Sequence, residues 1–443
     1  MTAEDMTRGS LRRHLLRYAV PMILGNLLQL TYNAADSVII GKYLGENALA
    51  AVGTSNPVMT LMVLGASGMG IGASVLMGGF YGAGDEKSLR KEFSTTLILS
   101  AALSLLIFVP GFALTPQLLR LIRTPEAAIP QAIPYLRILF VGFLFVFPYN
   151  ILSHAMRSLG DSRTPVLFLG LSCVLNILLD LLFVAGLRLG VHGAGYATAL
   201  SQAVSVLLCL LRIRRKMPLL RLKKSELTAD RTLLRKTLRF GSLTALQQAA
   251  QPIGKVFIQS VINLQGTAAI GAFNAVCRVD DFACIPAQSI GSGIMTCTAQ
   301  NRGAKQEERV RRTFSAGMGI ALCYFPLICG AVLLLKRPVM GLLTPDGSAA
   351  MAEMGVSYLR VKAWFFLLAC VNNAIQGWFR GLGKMTVVLL ATALQITVRA
   401  LCVFLLVPRI GITGEAWGCL IGWSCQLLFE GVLLLRLRKK SLV

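Results

Sequence analysis

Asp36 and Asp180 are the two side chains whose positions most need a chemical explanation. Asp36 lies about two-thirds of the way along Pro21–Gly45, a run apolar and long enough to cross a bilayer as a helix, with no basic residue beside it in the apolar stretch. A carboxylate at that depth costs roughly 2.5–3.5 kcal/mol, so it normally faces a cavity and carries out a function. Gln29, Tyr32, Asn33 and Asp36 recur at helical spacing and form one polar stripe on an otherwise apolar helix. Asn176 and Asp180, four residues apart in NILLDLLF, share a helix face. Thr198 lies early in the next apolar run. At 1.5 Å per residue, Asp36 and Asp180 sit roughly 30 and 24 Å from the cytoplasmic starts of their spans, and Thr198 about 8 Å below the outer surface. All three are expected to meet in the outer half of the membrane.

Two carboxylates, an amide oxygen and a hydroxyl are hard oxygen donors, the kind that hold a small cation such as Na⁺. Two buried carboxyls side by side also favour sharing a proton, since both cannot readily ionise together. Asp36, Asn176, Asp180 and Thr198 are therefore the expected ion-coupling set, and the metal site if the ion is Na⁺. The structural alternative is a carboxyl that caps a broken helix or hydrogen-bonds a tyrosine.

The elements that must position these residues follow from composition. Of 443 residues, 55% are hydrophobic and only 14% charged. A soluble chain of this length carries more charge, so the class is a polytopic membrane protein. Twelve runs have spanning length. The net charge of +24 is placed by topology rather than by a nucleic-acid partner. Most Lys and Arg fall in the amino-terminal tail, the even-numbered loops and the carboxy-terminal tail, which puts both termini in the cytoplasm. No cleavable signal is expected, because residues 1–14 are polar and the first apolar run is too long. Eleven cysteines are scattered singly and read as small packing residues, and the three histidines show no metal-ligand spacing. Without a P-loop, a G-x-S-x-G or an H-E-x-x-H, neither an enzyme nor a cofactor is expected.

The chain repeats itself. A shift of 221 residues carries Gly45-x-x-Ala48 onto Gly266-x-x-Ala269, Gly70-x-Gly72 onto Gly291-x-Gly293, and Gly190-Val-His-Gly193 onto Gly411-Ile-Thr-Gly414; a shift of 223 carries Arg157-Ser-Leu-Gly160 onto Arg380-Gly-Leu-Gly383. Even numbers of spans per unit give two halves in one orientation, a design of alternating-access transporters whose site lies near the repeat interface. The expected division is a lobe over residues 1–213, a basic cytoplasmic linker over 214–237, in part an interfacial amphipathic helix, and a second lobe over 238–443. The acidic site is not duplicated, because Phe257 falls opposite Asp36. The second half instead offers Lys255, Arg278, Asp280, Asp281 and Arg399, with Lys255 expected to pair with the Asp280/Asp281 couple. Asn372, Asn373 and Gln376 are further cavity-lining candidates, and Glu430 reads as a rim residue beside Arg436.

Taken together, the P…Q…Y…D…GKYLG pattern of the first span, Gln300-Asn301-Arg302-Gly303-Ala304 read as a loop, Arg157–Asp161 with its echo at 380–383, Asn176…Asp180 and the GxxG openings of spans six and twelve resemble the multidrug and toxic compound extrusion (MATE) family. The resemblance implies an all-α fold of twelve transmembrane helices in two pseudo-symmetric six-helix lobes, the fold of the wider flippase superfamily. It implies export of organic, often cationic, compounds in exchange for H⁺ or Na⁺ by alternating access. The acidic set of the DinF-like branch carries over to Asp36, Asn176, Asp180 and Thr198, with Asn150 as a neighbour. Substrate-cavity candidates are thus Gln29, Tyr32, Asn33, Asn150, Lys255, Arg278, Asp280, Asp281, Asn372, Asn373, Gln376 and Arg399. The acidic residue that another branch places in span seven is replaced here by the Lys255 region. Expected partners are a small organic substrate and the lipid bilayer of a bacterial plasma membrane, with the chain a monomer and no nucleic acid. The rival readings are a lipid-linked oligosaccharide flippase of the same superfamily and a non-transporting receptor or scaffold.

Overall fold

A computed structural model describes residues 4–344 and 349–439, apart from the side chains of residues 33, 35, 37, 46, 47, 49 and 437–439. Asn33 is therefore outside the described side chains. Among the described residues the chain is helical, with twelve long helices. These are α1 (Leu11–Leu44), α2 (Glu46–Gly82), α3 (Glu86–Ala113), α4 (Ile129–Ser158), α5 (Arg163–Asp180) and α6 (Val191–Lys216) in the first half. The second half holds α7 (Arg231–Asn263), α8 (Thr267–Gly303), α9 (Glu307–Leu343), α10 (Ala349–Gly381), α11 (Met385–Ile410) and α12 (Thr413–Lys439). A short helix, Thr115–Leu121, opened by a proline in its first turn, was not anticipated and follows α3. Among the described residues, nine helices are long and apolar enough to cross a membrane by length and composition alone. Two of the remaining long helices, α7 and α8, owe their lower apolarity to Gln247, Gln248, Gln251 and Lys255, and to Arg278, Asp280 and Asp281.

The repeat seen in the sequence recurs in backbone conformation. Gly45 and Gly266 both take positive φ, 80° and 94°, where the chain re-enters a helix. Gly190 and Gly411 do the same at 65° and 67°, a region that side chains with a Cβ rarely adopt. It recurs in packing too. In the first half α4 packs against α2, α3 and α6; in the second, α10 packs against α8, α9 and α12. Each central helix organises its own core, Phe140, Phe143 and Phe147 on α4 and Tyr358, Leu359 and Phe366 on α10.

The chain forms two compact units, one holding Pro21–Ala245 and the other Met6–Val20 with Leu246 onward. Each unit thus takes the opening turns of a helix whose remainder belongs to the other. In the amino-terminal unit, Gly72 lets α2 meet α7 backbone to backbone, because a Cβ there would strike Gly241. In the carboxy-terminal unit, the start of the chain is held by side chains. Met6 N–H donates to Gln300 Oε1 (3.0 Å), Asn301 Nδ2 donates to Met6 O (3.3 Å), and Thr296 donates to the Tyr18 hydroxyl (3.0 Å). The segment read as a loop, Gln300–Gly303, is in fact the last turn of α8, and two of its residues anchor the chain start.

The amphipathic helix expected in part of the linker is confined to its end. Residues 214–216 close α6 and 231–237 open α7, with Leu233 and Thr237 buried and Arg231, Arg235 and Lys236 exposed, while the middle is not a helix of that kind. Two three-residue 3₁₀ turns stand there, Pro218–Leu220 and Lys224–Glu226. Met217 and Leu220 are buried in the amino-terminal core, which leaves the middle of the basic stretch no uninterrupted helical face. Ser94 donates to Thr228 O (2.9 Å), Arg90 pairs with Glu226 (3.2 Å), and Asp230 Oδ1 caps α7 by accepting from Thr232 and Leu233 N–H.

Candidate functional site

Asp180 is the last residue of α5, and beyond it the helix widens into a π turn over Leu181–Gly186. Such turns release backbone groups from the regular ladder and recur at functional sites. Asp180 and Asn176, one turn apart, are fully buried. The Asp36 carboxyl lies at hydrogen-bonding range of the Asp180 carboxyl. Asn176 Nδ2 reaches Thr198 Oγ1 at 3.4 Å, and the Tyr32 hydroxyl reaches the same threonine. Since Tyr32 precedes Asp36 by four residues, the set closes into a ring spanning α1, α5 and α6.

The ring is short of donors. Asp36 Oδ1, both oxygens of Asp180 and Asn176 Oδ1 are buried and accept no hydrogen bond from the described residues. Thr198 spends its hydroxyl proton on Ala194 O (3.1 Å). Buried acceptors without donors are unfavourable, so the arrangement calls for a proton or a cation between them. The donor set is oxygen only, which suits either. Among the described residues no cluster of three or more His, Cys, Asp or Glu side chains is placed to hold a metal ion.

One member was missed in the sequence. Tyr135 on α4 is buried and close enough to Asp36, Asp180 and Tyr32 to interact electrostatically with all three. Its only sequence signal is a tyrosine early in the fourth span, which is common at membrane interfaces. Gln29, on the expected stripe, is exposed, and Asn150 donates to Val146 O in its own helix (2.9 Å).

The carboxy-terminal candidates divide differently from the expectation. Lys255 pairs with Asp281 (3.0 Å), and both are about half exposed. Asp280 turns away to Lys362 (3.4 Å), which is fully buried and also lies 3.8 Å from Glu415. Glu415 is held in turn by Arg399 Nε (2.9 Å) and the Tyr358 hydroxyl. Two cations and two anions thus balance inside one buried network, of which Lys362 and Glu415 were not singled out. Arg278 is exposed. Asn372 donates to Trp423 O, Asn373 to Ala369 O, and Gln376 to Thr392 Oγ1. Glu430 is not a rim residue: it is fully buried and accepts from Gln426 Nε2 at 3.0 Å.

The MatE family model matches the chain twice, over residues 21–182 and 244–405, one match per half. The chain belongs to the MATE family. Among its curated relatives, a probable multidrug resistance protein, YpnP of Bacillus subtilis, is 31% identical over 390 residues, covering 88% of this chain and 86% of the relative. A solved outward-facing MATE multidrug resistance transporter of the MOP superfamily is 25% identical, with a TM-score of 0.91 over 100% of this chain and 99% of that one. A MOP superfamily transporter from Pyrococcus furiosus matches equally, at 25% identity and a TM-score of 0.91, over 100% of this chain and 99% of that chain. The MATE assignment makes this chain a multi-pass membrane transporter and not an enzyme.

Proposed function

We propose that this MATE protein is a secondary active antiporter that exports organic compounds, often cationic, in exchange for H⁺ or Na⁺ by alternating access. The observation that carries the reading is the ring of buried acceptor oxygens around Asp36 and Asp180, which lacks donors from the protein. Loading the ring with a proton or a cation removes a like-charge conflict and changes how α1 packs from Pro21 onward, a two-state element that an ion gradient can bias. Asp36, Asn176, Asp180 and Thr198 hold the coupling ion in this account, while Tyr32 holds Thr198 and Tyr135 borders the carboxyls. The protein works as a monomer in the bacterial plasma membrane with both termini cytoplasmic, an orientation supported by the distribution of Lys and Arg.

Reconstitution in liposomes with each gradient imposed alone tests the reading. Export driven by a proton gradient at zero Na⁺ assigns H⁺, and export only with a Na⁺ gradient assigns Na⁺. Export driven by neither ion contradicts antiport.

A further inference from the structure

A cavity of about 690 Å³ opens in the carboxy-terminal unit between the start of α9, the end of α10 and the second half of α12. All three segments lie at the Lys/Arg-rich end of the membrane domain, the cytoplasmic end by the positive-inside rule. Its floor is rigid and aromatic. Trp378 is buried, its indole N–H donates to Val310 O (3.3 Å), and Phe314 packs on it with ring centroids 5.3 Å apart. Its wall is aliphatic, with Leu428 and Leu435 70% and 62% exposed on one face of α12. Gly431 stands between them, and a Cβ added there would meet nothing within 4 Å. At the mouth is Arg311, exposed, with no ion-pair or hydrogen-bond partner for its guanidinium among the described residues. Its neighbour Arg312, by contrast, is committed to Glu308 (2.8 Å).

We propose that this groove is a binding site for an anionic glycerophospholipid of the cytoplasmic leaflet, with an acyl chain along α12 and the phosphate on Arg311. An apolar groove lined by leucines and aromatic rings takes a chain rather than water. Lipid tails are as apolar as leucine, however, so tail contact alone selects no lipid over another. The choice falls to the head group, where an unpaired guanidinium recognises phosphate oxygens and a net negative lipid gains over a zwitterionic one. Basic pockets between helices on this side of a membrane protein bind such head groups.

The test is lipid retention, read by native mass spectrometry of the full-length protein equilibrated with equal amounts of phosphatidylglycerol and phosphatidylcholine. Wild type should retain phosphatidylglycerol about five-fold over phosphatidylcholine, the scale of one basic residue at the surface. Arg311→Gln should bring the two lipids to near parity by lowering phosphatidylglycerol retention about five-fold and leaving phosphatidylcholine retention unchanged. Gly431→Phe, which fills open space, should lower retention of both lipids. An unchanged preference in R311Q overturns the head-group assignment, and this variant decides the matter alone if G431F lowers the Tm. Unchanged retention in a stably folded G431F overturns the site. A changed KM for the exported compound in G431F, with lipid retention unmoved, also overturns the proposal and makes the groove a substrate path.

Discussion

The carboxyl of Asp36 faces that of Asp180 across the α1–α5 contact, and among the described residues no protein donor satisfies Asp36 Oδ1 or either oxygen of Asp180. Neighbouring carboxylates repel unless something positive is shared between them. In the proposed antiport, transport turns on what fills that gap. Tyr135 borders it without donating to either carboxyl, so Tyr135→Phe should keep the fold and lower ion-driven export by about five-fold at most, the scale of about 1 kcal/mol. Initial rates of gradient-driven efflux at matched protein density check this.

The second charged cluster gives the opposite kind of prediction. Lys362 is buried between Asp280 and Glu415, so Lys362→Met leaves two carboxylates without their shared cation. Breaking a buried pair from one side costs about 3–5 kcal/mol. The Tm in detergent should fall sharply, and adding Asp280→Asn should recover part of it, because the second change removes one stranded charge. A K362M protein with an unchanged Tm but no transport would make this network part of the mechanism instead.

Glycines that look alike in sequence differ in cost. Gly65 and Gly72 both lie in α2, but a Cβ at Gly65 meets nothing within 4 Å while one at Gly72 strikes the backbone of Gly241. Gly65→Ala should be neutral or stabilising by up to about 1 kcal/mol, since glycine is a poor helix former. Gly72→Ala should destabilise by about 1–3 kcal/mol or more, because backbone cannot move aside as a side chain can. Thermal unfolding of the two variants in parallel separates them.

Much of this architecture was legible in the sequence, and the reason is physical. Glycines that must adopt positive φ, such as Gly45/Gly266 and Gly190/Gly411, cannot be replaced cheaply, so a duplicated fold keeps them at a fixed offset. Asp36, Asp180 and Asn176 stood out because charge and amide groups are costly in an apolar span. Tyr135, Lys362 and Glu415 did not, because their significance lies in partners from distant helices. Sequence spacing reports neighbours on one helix and not across several. The pairing of Lys255 with Asp281, leaving Asp280 to Lys362, is such a case: adjacent residues on α8 point about 100° apart, and only the packing decides which one meets which cation.

Outside the membrane, the linker carries its own pH dependence. Glu226 and Asp230 are both held below the usual carboxylate range, first by backbone N–H donors from Lys223 and Leu233 respectively. A carboxyl lowered by folding contributes stability above its unfolded value of roughly 4, and that contribution is lost as pH falls through the lower folded value. Residues 217–230 should thus be cut more slowly by a protease at pH 7 than at a pH below both folded values. Asp230→Asn should make the α7 end of the segment less sensitive to that change.

The most direct test of the account is gradient-driven export by Asp36→Asn and Asp180→Asn proteins in liposomes, compared with wild type at equal reconstituted amount. Each variant should fold, bind the exported compound and fail to couple its movement to an imposed H⁺ or Na⁺ gradient. Wild-type coupling in both variants would contradict the account and leave the carboxyl pair without a role in transport.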